Sequence, residues 1–267
     1  EIDTRDWSSD VCSSDLSYTL HEKEVYSWAS TGRQLYEDYD YATGNTKNYT
    51  LSLPGIVPED SVWLTTVFAA RSIGASTYYS VAVNGKARGN ATLASISSDN
   101  QYYTRATSAS ISTSWLGTES ENTVVTVTHT RPSGTSGRLD YIALNYIRSL
   151  TLNAPYLTFR SLASINKETT FVLSGATAST VVWDVTDPAN ICRMEGSFVG
   201  GTYTFTIPAG KLREFVAITP EASGFDTVET VGNIANQNLH SLGATDMIII
   251  SPDRKDLMTQ AERSEER

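Results

Sequence analysis

The stretch LDYIALNYIRSLTL, residues 139–152, decides the fold class of this chain. Ile142, Leu144 and Tyr146 recur at every second position, and apolar residues also occupy several of the positions between them. A period of two is typical of a β-strand, because successive side chains point to opposite faces of a sheet. The segment therefore predicts one long strand.

Shorter segments before it repeat this pattern. Residues 61–71 predict a buried strand, and residues 123–130 predict an alternating one. Residues 78–86 alternate and then reach Asn84-Gly85, a dipeptide typical of a tight hairpin. Many short strands separated by Gly/Pro turns predict a β-sandwich of jelly-roll type over residues 17–153. The side chains that we expect in its buried strand at 61–71 are Val62, Leu64, Val67 and Phe68.

A second group of strand patterns predicts a small second β-domain over residues 154–220, so the fold class is mainly β. Its expected strands are 169–175, 180–188, 202–208 and 213–219.

After Pro220 the pattern changes. The apolar run at 244–251 is followed by a helical pattern, RKDLMTQAE, which is typical of the opening of an α/β domain with parallel strands. Residues 221–262 are therefore interpreted as a linker and the truncated start of such a domain. We expect apolar surface between Met247 and Met258 to be exposed.

Both ends carry an unusual sequence. DWSSDVCSSDL, residues 6–16, matches the translation of a sequencing-library adapter, and RSEER, residues 263–267, matches the opposite adapter. We interpret 1–16 and 263–267 as adapter-derived artefacts that pack against nothing. On that interpretation Cys12, the one cysteine besides Cys192, is not part of the natural protein.

Charge and hydropathy exclude some partners. The chain holds 20 basic and 30 acidic residues, a net charge of −10, and removal of the two adapter segments leaves −6. An acidic balance argues against nucleic acid and anionic membrane as main partners. The sequence contains no apolar run of about 18 residues, so no transmembrane segment is expected.

Candidates for catalysis are weak. Cys192 would need a histidine base supplied by the fold, and the histidines are His21, His129 and His240. His129 suits a half-buried strand residue. His240 suits a turn-forming polar residue, although its loop could also lie between domains or near a site. We therefore assign no catalytic residue, no metal ligand and no cofactor.

Other patterns have both a functional and a structural interpretation. Asp184 and Asp187 suggest calcium but suit turn formation before Pro188. Asn48 and Asn90 match the glycosylation tripeptide, which is common by chance. Aromatic side chains could stack on sugars, although such residues more often fill a sandwich core. They are Trp63, Tyr102, Tyr103 and Trp115.

Four blocks in order resemble the PorU-type sortases of the gingipain family of cysteine peptidases. The resemblance covers roughly residues 17–262, and it is most specific in VWDVTDP and in the NQNLH…DMIII…QAE block. The blocks are RLDYIALNYIRSL (138–150), VVWDVTDPANI (181–191), LREFVAIT (212–219) and residues 232–262.

The resemblance implies N-terminal β-domains followed by a caspase-like α/β peptidase domain. It implies a protein at the outer-membrane surface of a Gram-negative bacterium, in the type IX secretion system. There it would remove C-terminal signal domains from secreted cargo and help to attach the cargo to anionic lipopolysaccharide, together with an outer-membrane partner protein. The mechanism implied is a cysteine nucleophile with a histidine base.

This sequence departs from that family pattern in one respect. The family's catalytic histidine and cysteine lie beyond the first strand of the α/β domain, and neither Cys192 nor His240 matches them. The chain is thus expected to be the non-catalytic N-terminal part, inactive alone. Two alternatives stay open: a carbohydrate-binding β-sandwich and a structural docking module.

Overall fold

The computed structural model describes residues 10–28, 34–58, 60–99, 105–117 and 120–227, together with 229–230, 232–233 and 243. Within these residues it contains sixteen strands and one short 3-10 helix. The predicted mainly β class is confirmed. The strands form two sandwiches, and each has its own apolar core.

The first sandwich is a jelly roll, as predicted. Its strands alternate between two four-stranded sheets, so that neighbours in the chain lie in opposite sheets or are joined by hairpins. One sheet has the order β2 (Ser14–Glu22), β9 (Ser136–Ser149), β4 (Ser61–Arg71), β7 (Thr107–Leu116), and the other β3 (Thr46–Ser52), β8 (Asn122–Thr130), β5 (Thr77–Val83), β6 (Lys86–Leu93).

The period-two pattern of β9 produces the core. Ile142, Leu144 and Tyr146 are buried, and the positions between them face outward. The predicted hairpin forms at Asn84-Gly85, where both residues have positive φ, as a two-residue type I′ turn requires. The strand predicted at 61–71 has the predicted bounds.

One predicted core position is wrong. Val67 is half-buried on the outer side of β4, and Thr66 takes the inward position with its hydroxyl buried and unpaired. The reason is that alternate side chains of a strand face the same side of the sheet. Val62, Leu64 and Phe68 face the core, and Thr66 lies in the same alternate set, whereas Val67 does not.

The second sandwich is smaller. Phe159, Phe171, Phe205 and Phe215 contact one another in its centre, with ring centroids 5.1–6.3 Å apart. One sheet has the order β10 (Tyr156–Phe159), β16 (Phe215–Ile218), β12 (Val181–Asp184), β13 (Cys192–Met194), and the other β1 (Asp10–Cys12), β11 (Thr169–Ser174), β15 (Thr202–Ile207), β14 (Ser197–Val199); a 3-10 helix spans Leu162–Ser164.

The expectation that residues 1–16 pack against nothing is wrong for residues 10–16. Strand β1 pairs in parallel with β11, and β2 begins at Ser14 against β9. Asp15 is buried and forms a two-point ion pair with Arg148, at 2.7 and 3.1 Å. Strand pairing uses main-chain groups that every residue except proline carries, so an unrelated segment can complete a sheet edge. The adapter origin of these residues stays a prediction.

Residues 1–225 form one compact unit, which holds both sandwiches, and residues 226–267 form another. The predicted α/β start at 244–262, the Met247–Met258 surface and residues 263–267 lie outside the described residues. The predicted domain limits stay a prediction. No helix among the described residues has the length and hydropathy that a membrane crossing requires.

Candidate functional site

The structure places the candidate catalytic residues apart. Cys192 is exposed on the edge strand β13, with its Sγ 3.6 Å from the carbonyl oxygen of Asn190. No hydrogen bond joins it to His21 or His129, the two histidines that the structure describes, and both belong to the first sandwich. His240 lies outside the described residues. The described residues therefore provide no activated cysteine.

His129 is a core residue rather than a half-buried strand residue. Its ring stacks on Tyr79, and Tyr79 stacks in turn on Phe68. Neither ring nitrogen has a hydrogen-bond partner. Burial and the charge of Arg131 lower the pKa of His129 to about 4, so the imidazole is neutral near pH 7.

A buried carboxylate organises the loop before β3. The Glu37 side chain has no exposed surface and accepts hydrogen bonds from Lys47 Nζ at 2.7 Å and the Tyr49 hydroxyl at 2.6 Å. His21 Nε2 lies 3.3 Å and Lys23 Nζ 3.8 Å from the same carboxylate. Burial by itself would raise the pKa of Glu37, but the bonds from Lys47 and Tyr49 outweigh it and hold that pKa below its ordinary value.

The calcium interpretation has no support. Asp184 accepts hydrogen bonds from the Thr186 amide and hydroxyl, and Asp187 accepts one from the Ala189 amide, as turn-forming aspartates do. Among the residues that the structure describes, no three His, Cys, Asp or Glu side chains are grouped as metal ligands. The predicted strand at 180–188 ends at Asp184 because this turn begins there.

The four candidate sugar-stacking residues differ in environment. Trp115 packs against the first core, and the Arg88 guanidinium lies 3.8 Å from its ring centre. Tyr102 and Tyr103 lie outside the described residues. Trp63 is 37% exposed. Of the described candidates, Trp63 is the one whose ring is available to a ligand.

Trp63 lies on the outer face of the first sandwich. Its strand, β4, runs between β9 and β7, and the register places Trp63 beside Asn145 of β9 and Ser114 of β7. Asn145 is in turn beside Tyr18 of β2, which is 70% exposed. The row Tyr18–Asn145–Trp63 therefore presents two aromatic rings with an amide between them.

A cleft of about 580 Å³ opens above Trp63 and Asn145 of this row, and Tyr18 lies outside its lining. The outer face of the first sandwich supplies Trp63, Asn145 and Ile147, and the 3-10 helix of the second sandwich supplies Leu162, which is 56% exposed. Asp60 stands at the rim, immediately before β4. We define these residues as the Trp63 cleft; Ser14, Asp15, Leu16, Ser161 and Ala163 complete its lining.

Sequence reasoning singled out Trp63 but missed the rest of the cleft. Asn145 could have been found from the alternation of β9, because it belongs to the outward set. No sequence pattern pointed to Leu162, because its position above the first sandwich depends on how the second sandwich packs.

A similar fold occurs among solved structures. The dimeric latent PorU from Porphyromonas gingivalis matches with a TM-score of 0.66 and 20% sequence identity, over 80% of this chain and 21% of the PorU chain. This chain has the fold of that part of PorU, and it spans about a fifth of the length of that protein.

Other similarities are too low to support an argument. The CBM22-1–CBM22-2 tandem domain of Paenibacillus barcinonensis Xyn10C matches with a TM-score of 0.28 and 8% identity over 77% of this chain and 84% of its own. PNGF-II matches with a TM-score of 0.31 and 7% identity over 77% of this chain and 62% of its own. No protein-family model matches the chain, and no curated protein matches its sequence.

Proposed function

We propose that this chain is the non-catalytic N-terminal β-part of a PorU-like cysteine endopeptidase. Such a protein would remove C-terminal signal domains from type IX secretion cargo at the cell surface of a Gram-negative bacterium. The observation that carries the proposal is the match of 80% of this chain to the fold of PorU, with a TM-score of 0.66. The ordered sequence blocks at 138–150, 181–191 and 212–219 support it independently.

The arrangement of the described residues supports a framing role for the two sandwiches. No described histidine lies beside Cys192, and the buried polar clusters at Glu37 and His129 are closed by side chains of this chain. Catalysis would then belong to residues that follow the second sandwich. The cargo and an outer-membrane partner protein would be the partners of the whole protein.

The test is to express the natural gene across and beyond residue 262. We expect its reading frame to reach an α/β domain with a histidine and, later, a cysteine. The intact protein should cleave a cargo protein ahead of its C-terminal signal domain, and replacement of that downstream cysteine by alanine should abolish cleavage. The matched variant Cys192→Ser should cleave as the natural protein does. A frame that ends without such a domain, or cleavage that depends on Cys192, would refute the proposal.

A further inference from the structure

We infer that the Trp63 cleft binds a neutral oligosaccharide. This inference does not rest on the peptidase parentage, because it concerns side chains of the first sandwich and of the 3-10 helix alone. The residues that carry it are Asp60, Trp63, Asn145 and Leu162, and all four lie outside the segment interpreted as adapter-derived.

The position of Trp63 favours a ligand held by side chains rather than by main-chain pairing. Strand β4 pairs with β7 over Ser61–Ala70 and with β9 over Val62–Arg71. Since both of its edges are paired, no extended peptide can add to it as a further strand. The cleft instead offers the face of a sheet, where ring stacking and side-chain hydrogen bonds hold the ligand.

The polar groups around the Trp63 ring are available to form hydrogen bonds with a ligand. Within the described part of the chain, the Trp63 indole N–H, the Asn145 amide and the Tyr18 hydroxyl make no hydrogen bond. Asp60 accepts a bond at Oδ1 from the Ser61 amide, which leaves Oδ2 for a ligand. An apolar ring beside an amide and a carboxylate suits a sugar, whose C–H face packs on the ring while its hydroxyls donate and accept.

The spacing of the row indicates the size of the ligand. Tyr18 and Trp63 are two strands apart, so their backbones lie about 10 Å from each other. Because Tyr18 lies outside the lining of the cleft, a ligand that contacts both rings extends beyond the cleft and is an oligosaccharide rather than a single sugar.

The charge of the lining indicates a neutral ligand. Asp15 and Asp60 line the cleft, and no lysine or arginine among the residues that the structure describes does so. Asp15 belongs to the segment interpreted as adapter-derived and is paired with Arg148, so the relevant charge is that of Asp60, which is in no ion pair within the described residues. A carboxylate without a cation disfavours acidic sugars and phosphates, which would need a guanidinium or ammonium partner.

The experiment measures retardation of the chain in native gels that contain a soluble mannan, a xylan or hydroxyethylcellulose, with polygalacturonate as the anionic comparison. We expect at least one neutral polysaccharide to retard the chain and polygalacturonate not to. Trp63→Ala should weaken that affinity on the order of tenfold, the effect of losing about 1.4 kcal/mol of contact. Trp63→Phe should retain most of the affinity.

Tyr78→Ala is the matched control, because Tyr78 is 47% exposed on the opposite sheet and should leave retardation unchanged. The melting temperature of each variant checks folding, and Asn145→Ala provides a second test if Trp63→Ala does not fold. Three results would overturn the inference: no neutral polysaccharide binds, binding is the same in Trp63→Ala and Asn145→Ala as in the parent, or a cargo signal-domain peptide binds through Trp63 while no polysaccharide does. None of them bears on cargo cleavage by the intact protein.

Discussion

Tyr79 and His129 lie face to face in the core of the first sandwich, with ring centroids 4.1 Å apart and planes 6° apart. Tyr41 meets both rings edge-on. The stack places a titratable ring in a site with no hydrogen-bond partner for either of its nitrogens. The imidazole is therefore held as a neutral aromatic ring, and the packing disfavours its protonation.

This stack predicts a loss of stability in mild acid. The pKa of His129 is about 4 when folded and near the ordinary 6.5 when unfolded, so the unfolded chain takes up the proton first as the pH falls. The contribution of His129 to the free energy of unfolding should fall below pH 6.5 by at most about 1.4 kcal/mol per pH unit, and this contribution should level off near pH 4. Urea unfolding from pH 4 to pH 8 measures it.

The variant His129→Phe isolates this contribution, because phenylalanine keeps the stack and cannot be protonated. The difference in unfolding free energy between parent and variant should be constant above pH 7. Below pH 6.5 the parent should lose more stability than the variant, so the difference should change in favour of the variant. Parallel curves for the two proteins across the whole range would contradict the assignment.

Gly137 is expected to be essential to the same stack. A Cβ atom at this position would lie 2.3 Å from the Tyr79 hydroxyl and 2.4 Å from His129 Nδ1. Gly137→Ala should therefore displace both rings and lower the free energy of unfolding by about 1–3 kcal/mol, as overpacking does. Gly210→Ala is the control, since no atom lies within 4 Å of its added Cβ, and it should leave thermal unfolding nearly unchanged.

Glu37→Gln should destabilise the first sandwich strongly. The substitution removes the buried negative charge shared by Lys47, Lys23 and His21; because these cations keep some contact with water, we expect a loss of about 1.5–3 kcal/mol, the range for a hydrogen bond to a charged group. Glu214→Gln is the matched control, because its ion pair with Arg160 is about half exposed and should contribute less than about 1 kcal/mol. Denaturant unfolding at pH 7 compares the two, and equal losses would show that Glu37 is not the organising charge.

The alternation of apolar and polar residues predicted those features of the fold that depend on local sequence. The inward set Ile142, Leu144 and Tyr146, the hairpin at Asn84-Gly85 and the bounds of β4 follow from side-chain period and turn chemistry over a few residues. Jelly-roll pairing was also accessible, because the number and spacing of the strands restrict the ways in which two sheets can be filled.

Features that depend on distant parts of the chain were not predictable. In the sequence, nothing distinguishes Glu37 from a surface carboxylate. Lys23 and Lys47 are separated from it along the chain and approach it only when β2 and β3 fold. The Trp63 cleft forms only where Leu162 of the second sandwich reaches the face of the first. Val67 was misassigned because residues 61–71 carry apolar side chains on both faces of the strand. Such a run does not reveal which alternate set of side chains faces the core.

The two cysteine thiols are expected to show ordinary reactivity, because the described residues provide no activated cysteine. Cys192 is exposed and Cys12 is half-buried, with its Sγ 3.1 Å from the carbonyl oxygen of Ser14. A disulfide reagent at pH 7 should therefore modify Cys192 first, at the rate of a small-molecule thiol of ordinary reactivity, because no described histidine contacts it. Cys12 should react more slowly and should reach the rate of Cys192 when the chain is unfolded in urea. The variants Cys192→Ser and Cys12→Ser assign the two phases. Modification of Cys192 orders of magnitude faster than the free thiol, lost when His129 or His21 is replaced by alanine, would contradict the placement of these side chains and restore Cys192 as a catalytic candidate.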